Sequence, residues 1–197
     1  MIINYSDPDI NVLTRTSVPN AIKNDLNKNP AWASWRTLKQ QQAPIEAWLL
    51  THHGLLKTIS KIETIITGLM DLHPSELNRA TRSCNLLEGC QHLLLHLAQH
   101  QTIEDQIYFP KFVAIIPRLK TPMEMLDQDH IVLEQLMQDG NDVLDKLTTT
   151  RPNRTNLARL HQITARLNRG LKTHIQHEED IVMPDLLEIG VKRLLID

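Results

Sequence analysis

The chain has 197 residues, of which 41 % are hydrophobic and 22 % are charged, with a formal net charge of −2. These values are typical of a globular protein that buries a core, and the lack of a long like-charge run argues against a nucleic-acid partner. No apolar run approaches the ~18–20 residues that a membrane span needs, and the first residues lack the pattern of a signal peptide. We therefore expect a soluble, cytoplasmic protein with no nucleic-acid or membrane partner.

Residues 1–43 are predicted to form an N-terminal arm with one or two short helices, because prolines, asparagines and threonines interrupt any longer pattern. Asn29 followed by Pro30 is a cap and first-turn pair that predicts one helix start. Trp32 and Trp35 are interpreted as apolar anchors of this arm on the rest of the protein.

From Pro44 onward, apolar residues recur at steps of three and four, which is typical of helices that bury one face. The predicted helices meet at junctions that contain proline or are rich in turn residues. Helix A ends near His73-Pro74, and helix B runs from a cap at Ser75 to about Phe109-Pro110. Helix C runs from Thr121-Pro122 to near Leu147, and helix D from about Thr155 to Met183-Pro184. Four long helices with short links predict an all-α, up-down-up-down four-helix bundle over residues 44–188, followed by a tail over residues 189–197. Cys84 and Cys90 both fall on predicted helix B, about 9 Å apart along its axis, so they are interpreted as packing residues and not as a disulfide.

Three histidines are followed four residues later by a glutamate, one pair on each of helices B, C and D: His100 and Glu104, His130 and Glu134, His174 and Glu178. Residues at this spacing share a helix face, and each pair lies in an otherwise apolar stripe. Buried without partners, such groups would cost several kcal/mol apiece. A metal ion is the usual remedy, since imidazole and carboxylate both bind cations such as iron, zinc or copper.

The distance of each histidine from the turns indicates which ones meet. Counted from those turns in an antiparallel bundle, His52, His100, His130 and His174 lie at one level, with His53 left open as the alternative to His52. Three further histidines, His73, His92 and His161, lie too far along their helices.

The helical angle predicts whether the neighbours of these residues face the core or solvent. His96 is expected to face inward and to hydrogen-bond to Glu134, with direct ligation by either residue left open. Ile107 is expected on the inner face of helix B. Asp105 and Glu179 are expected to face solvent, because each points about 140° away from the apolar stripe.

Two segments resemble the hemerythrin HHE cation-binding family: His100-Gln-Thr-Ile-Glu104-Asp-Gln-Ile-Tyr-Phe-Pro110 and His174-Ile-Gln-His-Glu178-Glu-Asp-Ile-Val-Met-Pro184. The similarity covers about residues 44–188. It implies two non-haem iron ions, oxo- or hydroxo-bridged, with the four histidines as terminal ligands and Glu104 and Glu178 as bridges; the same ligands also accept manganese or zinc. Oxygen-carrying members have a histidine where this chain has Glu134, and the extra carboxylate argues against reversible oxygen carriage.

The resemblance favours a protein that binds or senses O₂, NO or iron. The alternative is an enzyme of oxidative or nitrosative stress defence that consumes peroxide or NO, or that supports iron–sulfur cluster repair; the absence of cysteine from residues 1–43 weakens the repair interpretation. A metal-free helical interaction protein is a third hypothesis. Tyr108, one turn beyond Glu104, is interpreted as a packing residue, with donation of a hydrogen bond or an electron to the site as the alternative.

Overall fold

A computed structural model describes residues 3–26, 35, 43–150 and 152–189. Regular structure in these residues is helical, without a strand: α1 (Asn20–Leu26), α2 (Ala43–Met70), α3 (Pro74–Ser83), α4 (Leu86–Ile103), α5 (Phe109–Ile115), α6 (Lys120–Thr149) and α7 (Arg154–Ile189). The all-α prediction is therefore confirmed. No described helix is long and apolar enough to cross a membrane. The predicted helix start at Asn29-Pro30, Trp32 and most of the tail lie outside the described residues.

The four long helices form a closed ring of neighbours, since α2 and α6 each pack against both α4 and α7. Their interior holds two apolar clusters, one shared by these four helices and one built from α1, α5, the start of α6 and the end of α7. Trp35 is buried in the second cluster and its indole nitrogen donates to Asp180 on α7, which confirms its prediction as an anchor. Between Leu55 of the first cluster and Trp48 of the second, α2 places a buried polar residue, His52. A polar layer therefore separates the two apolar clusters.

Predicted helix B is broken at its start. The backbone of Asn85 takes a φ of 50°, a left-handed conformation that asparagine tolerates better than most residues, and it separates α3 from α4. The helix α3 is capped by His73, whose Nδ1 accepts the backbone N–H of Ser75, so the predicted cap at Ser75 is wrong. Cys84 lies at this break and Cys90 within α4, and both are free thiols.

A π-helical turn over Glu104–Tyr108 joins α4 to α5. Pro110 explains it, because proline has no N–H for the carbonyl four residues earlier and its ring would clash with that carbonyl. The wider turn lets the N–H of Phe109 bond to the carbonyl of Glu104. It also changes which side chains face inward: Glu104 is buried and Ile107 is 46 % exposed, so the prediction that Ile107 faces the core is wrong.

The last helix continues past its predicted end. Pro184 lies inside α7, which extends to Ile189. Met183 and Leu186, on either side of this proline, are buried in the second apolar cluster. Their packing offsets the hydrogen bond that Pro184 cannot make.

Candidate metal centre

Six of the seven predicted ligands converge in the polar layer. Four of them form a group whose ligand atoms all lie within 4.8 Å of one another, His52, His100, Glu104 and Glu178. We call this group position 1. The nitrogen His100 Nε2 lies 3.0 Å from Glu104 Oε1, and His52 Nε2 lies 3.2 Å from Glu178 Oε2.

A second group, which we call position 2, consists of Glu104, His130 and His174. The two imidazole Nε2 atoms of His130 and His174 are 3.1 Å apart, and His130 Nε2 is 3.5 Å from Glu104 Oε2. Glu104 therefore belongs to both positions and directs a different oxygen to each. Glu178 belongs to position 1 alone, although its Oε2 also lies 3.9 Å from His174 Nε2 at the edge of position 2.

Several of these atoms are buried with no hydrogen-bond partner among the residues that the structure describes. They are His100 Nε2 and both carboxylate oxygens of Glu104 and of Glu178. The short approach of His100 Nε2 to Glu104 Oε1 therefore lacks the direction of a hydrogen bond. An unpaired buried carboxylate is costly, and a cation between these atoms would satisfy all of them. The donor set thus fits one or two metal ions.

The outer nitrogens of three of the four histidines contact carboxylates. His130 Nδ1 lies 2.7 Å from Asp105, His174 Nδ1 lies 3.1 Å from Asp129, and His52 Nδ1 lies 3.1 Å from Glu179: three contacts of one kind. A carboxylate on Nδ1 fixes the ring so that Nε2 carries the free lone pair, as metal-binding histidines require. The expectation that Asp105 and Glu179 face solvent is therefore wrong. Each faces the neighbouring helix, and for Asp105 the π-turn also invalidates the 100° count.

The ionisation of the cluster reflects its burial. Burial and the neighbouring Glu178 raise the pKa of Glu104 well above its usual value. Burial alone would also raise the pKa of Glu178, but the charge of His52 outweighs it and lowers that pKa to about 2. Burial would lower the pKa of His52, yet Glu178 and two further carboxylates raise it well above its usual value. Burial lowers the pKa of His100 to about 3, so this ring is neutral and able to bind a cation. Metal binding would thus displace the protons that His52 and Glu104 hold.

Glu134 is not brought to the centre. Its side chain is exposed, and its Oε1 accepts a long hydrogen bond of 3.5 Å from Gln138. His96 is exposed too, with its ring against His92. The predictions that these two residues face inward are therefore wrong, because the helical angles of α4 and α6 were estimated one helix at a time. His53, the alternative to His52, is exposed, whereas His52 is buried.

The N-terminal arm contributes to the centre, which its sequence did not indicate. The carboxylate of the fully buried Asp129 accepts hydrogen bonds from both Nη groups of Arg15 and from the hydroxyl of Tyr5. Arg15 also donates from Nε to His177 Nδ1 over 2.8 Å. One feature of the sequence could have indicated the role of Asp129. Like Asp105 and Glu179, it directly adjoins a predicted ligand in the chain.

An aromatic wall closes position 1 on the side of α5. The indole N–H of Trp48 lies 2.7 Å from His52 Nε2, so it would have to move aside for a cation. Trp48 stacks on Tyr108 with ring centroids 5.0 Å apart and on Phe112 at 5.7 Å. Tyr108 thus packs in this wall, as its interpretation as a packing residue required.

The family model of the hemerythrin HHE cation binding domain matches residues 121–195. The matched range includes most of α6 and all of α7, and with them His130, His174 and Glu178. The resemblance seen in the sequence motifs is thereby confirmed over this part of the chain. No curated protein and no solved structure matches the chain.

Proposed function

We propose that this chain, hemerythrin-like over residues 121–195, is a metal-binding protein that holds two iron ions side by side at positions 1 and 2. The observation that carries the proposal is the geometry of Glu104, which belongs to both groups and directs Oε1 to His100 and Oε2 to His130. A carboxylate placed in this way can bridge two cations and balance their charge. Iron would supply an electron-rich centre for diatomic ligands or peroxide.

The proposal includes the arrangement of the helices. We take α2, α4 with its π-turn and α5, α6 and α7 as the four antiparallel members of a hemerythrin-like up-down-up-down bundle. The closed ring of helix neighbours supports this arrangement. So does the meeting of histidines from α2, α4, α6 and α7 in one layer, because antiparallel helices bring residues equally far from a turn to the same height.

Charge supports two cations. The buried or half-buried acids around the positions are Glu104, Glu178, Asp105, Asp129 and Glu179. Among the described residues, one guanidinium opposes them, that of Arg15. Once metal binding has displaced the protons of Glu104 and His52, this leaves four net negative charges, which two divalent cations would neutralise. A mixture of imidazole and carboxylate ligands suits iron, and it also accepts manganese or zinc.

We further propose that the centre binds or senses O₂, NO or iron itself. Position 2 has three protein ligands, one fewer than position 1. Metal sites that bind exogenous molecules commonly keep such an open coordination position. A small diatomic ligand or peroxide would therefore bind at position 2.

A second candidate function is an enzyme that consumes peroxide or NO in stress defence. The observation that favours it is the aromatic wall, because Trp48 and Tyr108 are oxidisable side chains stacked beside His52. Turnover separates the two functions. A binding or sensing protein reacts once per site with peroxide or NO, whereas an enzyme continues to consume either substrate as long as a reductant is supplied.

The direct test is the metal content and optical spectrum of the purified protein after anaerobic iron loading. We expect about two irons per chain, as in other two-metal centres, with near-ultraviolet absorption that a Glu104→Ala/Glu178→Ala double variant loses. Glu134→Ala is the matched control, because Glu134 also follows a histidine by four residues but is exposed, and it should bind iron like the wild type. A wild-type protein that takes up no metal would contradict the proposal.

A further inference from the structure

Arg15 connects the N-terminal arm to the polar layer. Its side chain is only 1 % exposed, and every nitrogen of its guanidinium is engaged. Nε donates to His177, Nη1 donates to the carbonyl of Ile10 and to Asp129, and Nη2 donates to Asp129. Paired donation of this kind holds a carboxylate in one orientation as well as neutralising it.

The carboxylate that Arg15 holds is the one that orients a ligand of position 2. Asp129 Oδ2 lies 3.1 Å from His174 Nδ1, and His174 Nε2 faces His130 at 3.1 Å. The series therefore runs from Arg15 through Asp129 and His174 to position 2. Groups that orient metal-binding histidines in this way typically contribute 10–100-fold to metal affinity.

The arm segment, residues 3–18, is shaped to lie against α7 beside this series. Val12 is fully buried, and its N–H donates to the hydroxyl of Tyr5, which in turn donates to Asp129. One turn before His174, α7 has Gly170, where a Cβ would lie 2.9 Å from the side chain of Leu133 on α6 and 3.0 Å from that of Leu13 in the arm, so both pack closely here. The arm thus contacts both the acid that orients His174 and the helix that carries it.

We propose that the arm segment is a metal-responsive part of the centre, in which Arg15 is a positioning residue for position 2. The proposal rests on the two-cation site described above. Docking of the arm fixes Asp129 and therefore His174, which favours a cation at position 2. Because coupling between two binding events is reciprocal, the cation favours docking of the arm by the same factor. Binding of a cation at position 2 therefore shifts the arm segment toward its docked state.

The first test compares zinc binding by the full chain and two variants, with zinc chosen because it needs no redox control. We expect Arg15→Gln to bind zinc at position 2 about 10–100-fold more weakly and to keep the wild-type affinity at position 1. Arg118→Gln is the matched control. Like Arg15, Arg118 pairs with an aspartate; its partner is Asp185 on α7, which is not a candidate ligand of either position. Its two zinc affinities should equal those of the wild type. Equal affinities in Arg15→Gln and wild type would overturn the proposal.

The second test measures amide hydrogen exchange of the wild-type chain with and without zinc. Zinc should slow exchange in residues 3–18 by about the same 10–100-fold factor, and it should leave α3, which lies outside the polar layer, unchanged. Arm exchange that is equal with and without zinc would overturn the proposal even if Arg15→Gln failed to fold. Tyr5→Phe removes only one hydroxyl and should reduce the protection without abolishing it.

Failure of this proposal differs from failure of the metal centre itself. A wild-type chain that binds two zinc ions without any response of the arm would refute the role of Arg15 and leave the centre intact. A wild-type chain that binds no zinc would refute both.

Discussion

Positions 1 and 2 share Glu104 but are built in different ways. Position 1 collects four side chains, and one of them, His100, is 12 % exposed. Position 2 collects only three, but both of its histidines contact an acid at Nδ1, Asp105 for His130 and Asp129 for His174. Position 1 thus depends on the number of its ligands, whereas position 2 depends on how firmly its ligands are held.

The difference shows what the arm adds to a helical scaffold. The ligands of position 1 come from α2, α4, the π-turn and α7, without any contribution from residues 3–18. Position 2 is supported by Arg15 and Tyr5, which lie before the first long helix. We therefore expect the two proposed cation positions to respond differently to changes outside the long helices.

The largest effect is expected from Glu104→Gln, which keeps the shape of the shared ligand and removes its charge. Both positions should lose affinity together, because the bridging carboxylate balances both cations. Isothermal titration with zinc measures the two affinities. Loss at one position with an unchanged affinity at the other would show that Glu104 is not shared.

Single histidine substitutions should separate the two positions. His100→Ala removes a ligand of position 1 only, and His174→Ala removes a ligand of position 2 only. We expect each variant to retain one tightly bound zinc, measured by equilibrium dialysis followed by elemental analysis. If either variant lost both ions, the positions would not be independent enough to be compared.

The supporting acids should produce an intermediate effect. Asp105→Asn should weaken position 2 and Glu179→Gln should weaken position 1, each by about 10–100-fold, since the neutral amide orients the histidine less strongly. Competition with a coloured chelator measures both changes. Equal weakening of the same position by both variants would contradict the assignment of these acids to different histidines.

The smallest effect is expected at the aromatic wall. Trp48→Phe keeps a ring in the stack but removes the N–H that faces His52 Nε2. Since a typical hydrogen bond contributes about 0.5–1.5 kcal/mol, zinc should bind position 1 a few-fold more tightly in this variant. Chelator competition would show it, and Trp35→Phe, in which the altered indole contacts Asp180, is the control. Weaker binding in Trp48→Phe would mean that the indole supports position 1 and does not compete with the cation.

The ligands of both positions could be predicted from the sequence, because they depend on spacing along single helices. The i, i+4 pairs and the distances from the turns placed His52, His100, His130 and His174 at one level with Glu104 and Glu178, as the structure has them. This prediction needs loop positions that are right only to within about two residues. The loop between α6 and α7 meets that need, since α6 ends at Thr149 where Leu147 was predicted and α7 begins at Arg154 where Thr155 was predicted.

The parts that were missed depend on contacts between elements. Asp105 and Glu179 reach histidines on neighbouring helices, which no angle measured on their own helix reveals. The same i, i+4 rule that placed Glu104 correctly placed Glu134 wrongly, because the rotation of α6 is set by packing against α4 and α7. Arg15 lies 114 residues from Asp129, so only the folded chain shows their pairing.

The measurement that tests the central claim most directly is a crystal structure of the iron-loaded protein with anomalous scattering at the iron edge. The account predicts two peaks about 3.5–4 Å apart, one among the ligands of position 1 and one among those of position 2, with a carboxylate oxygen of Glu104 on each. A single peak, or two peaks without Glu104 between them, would contradict it.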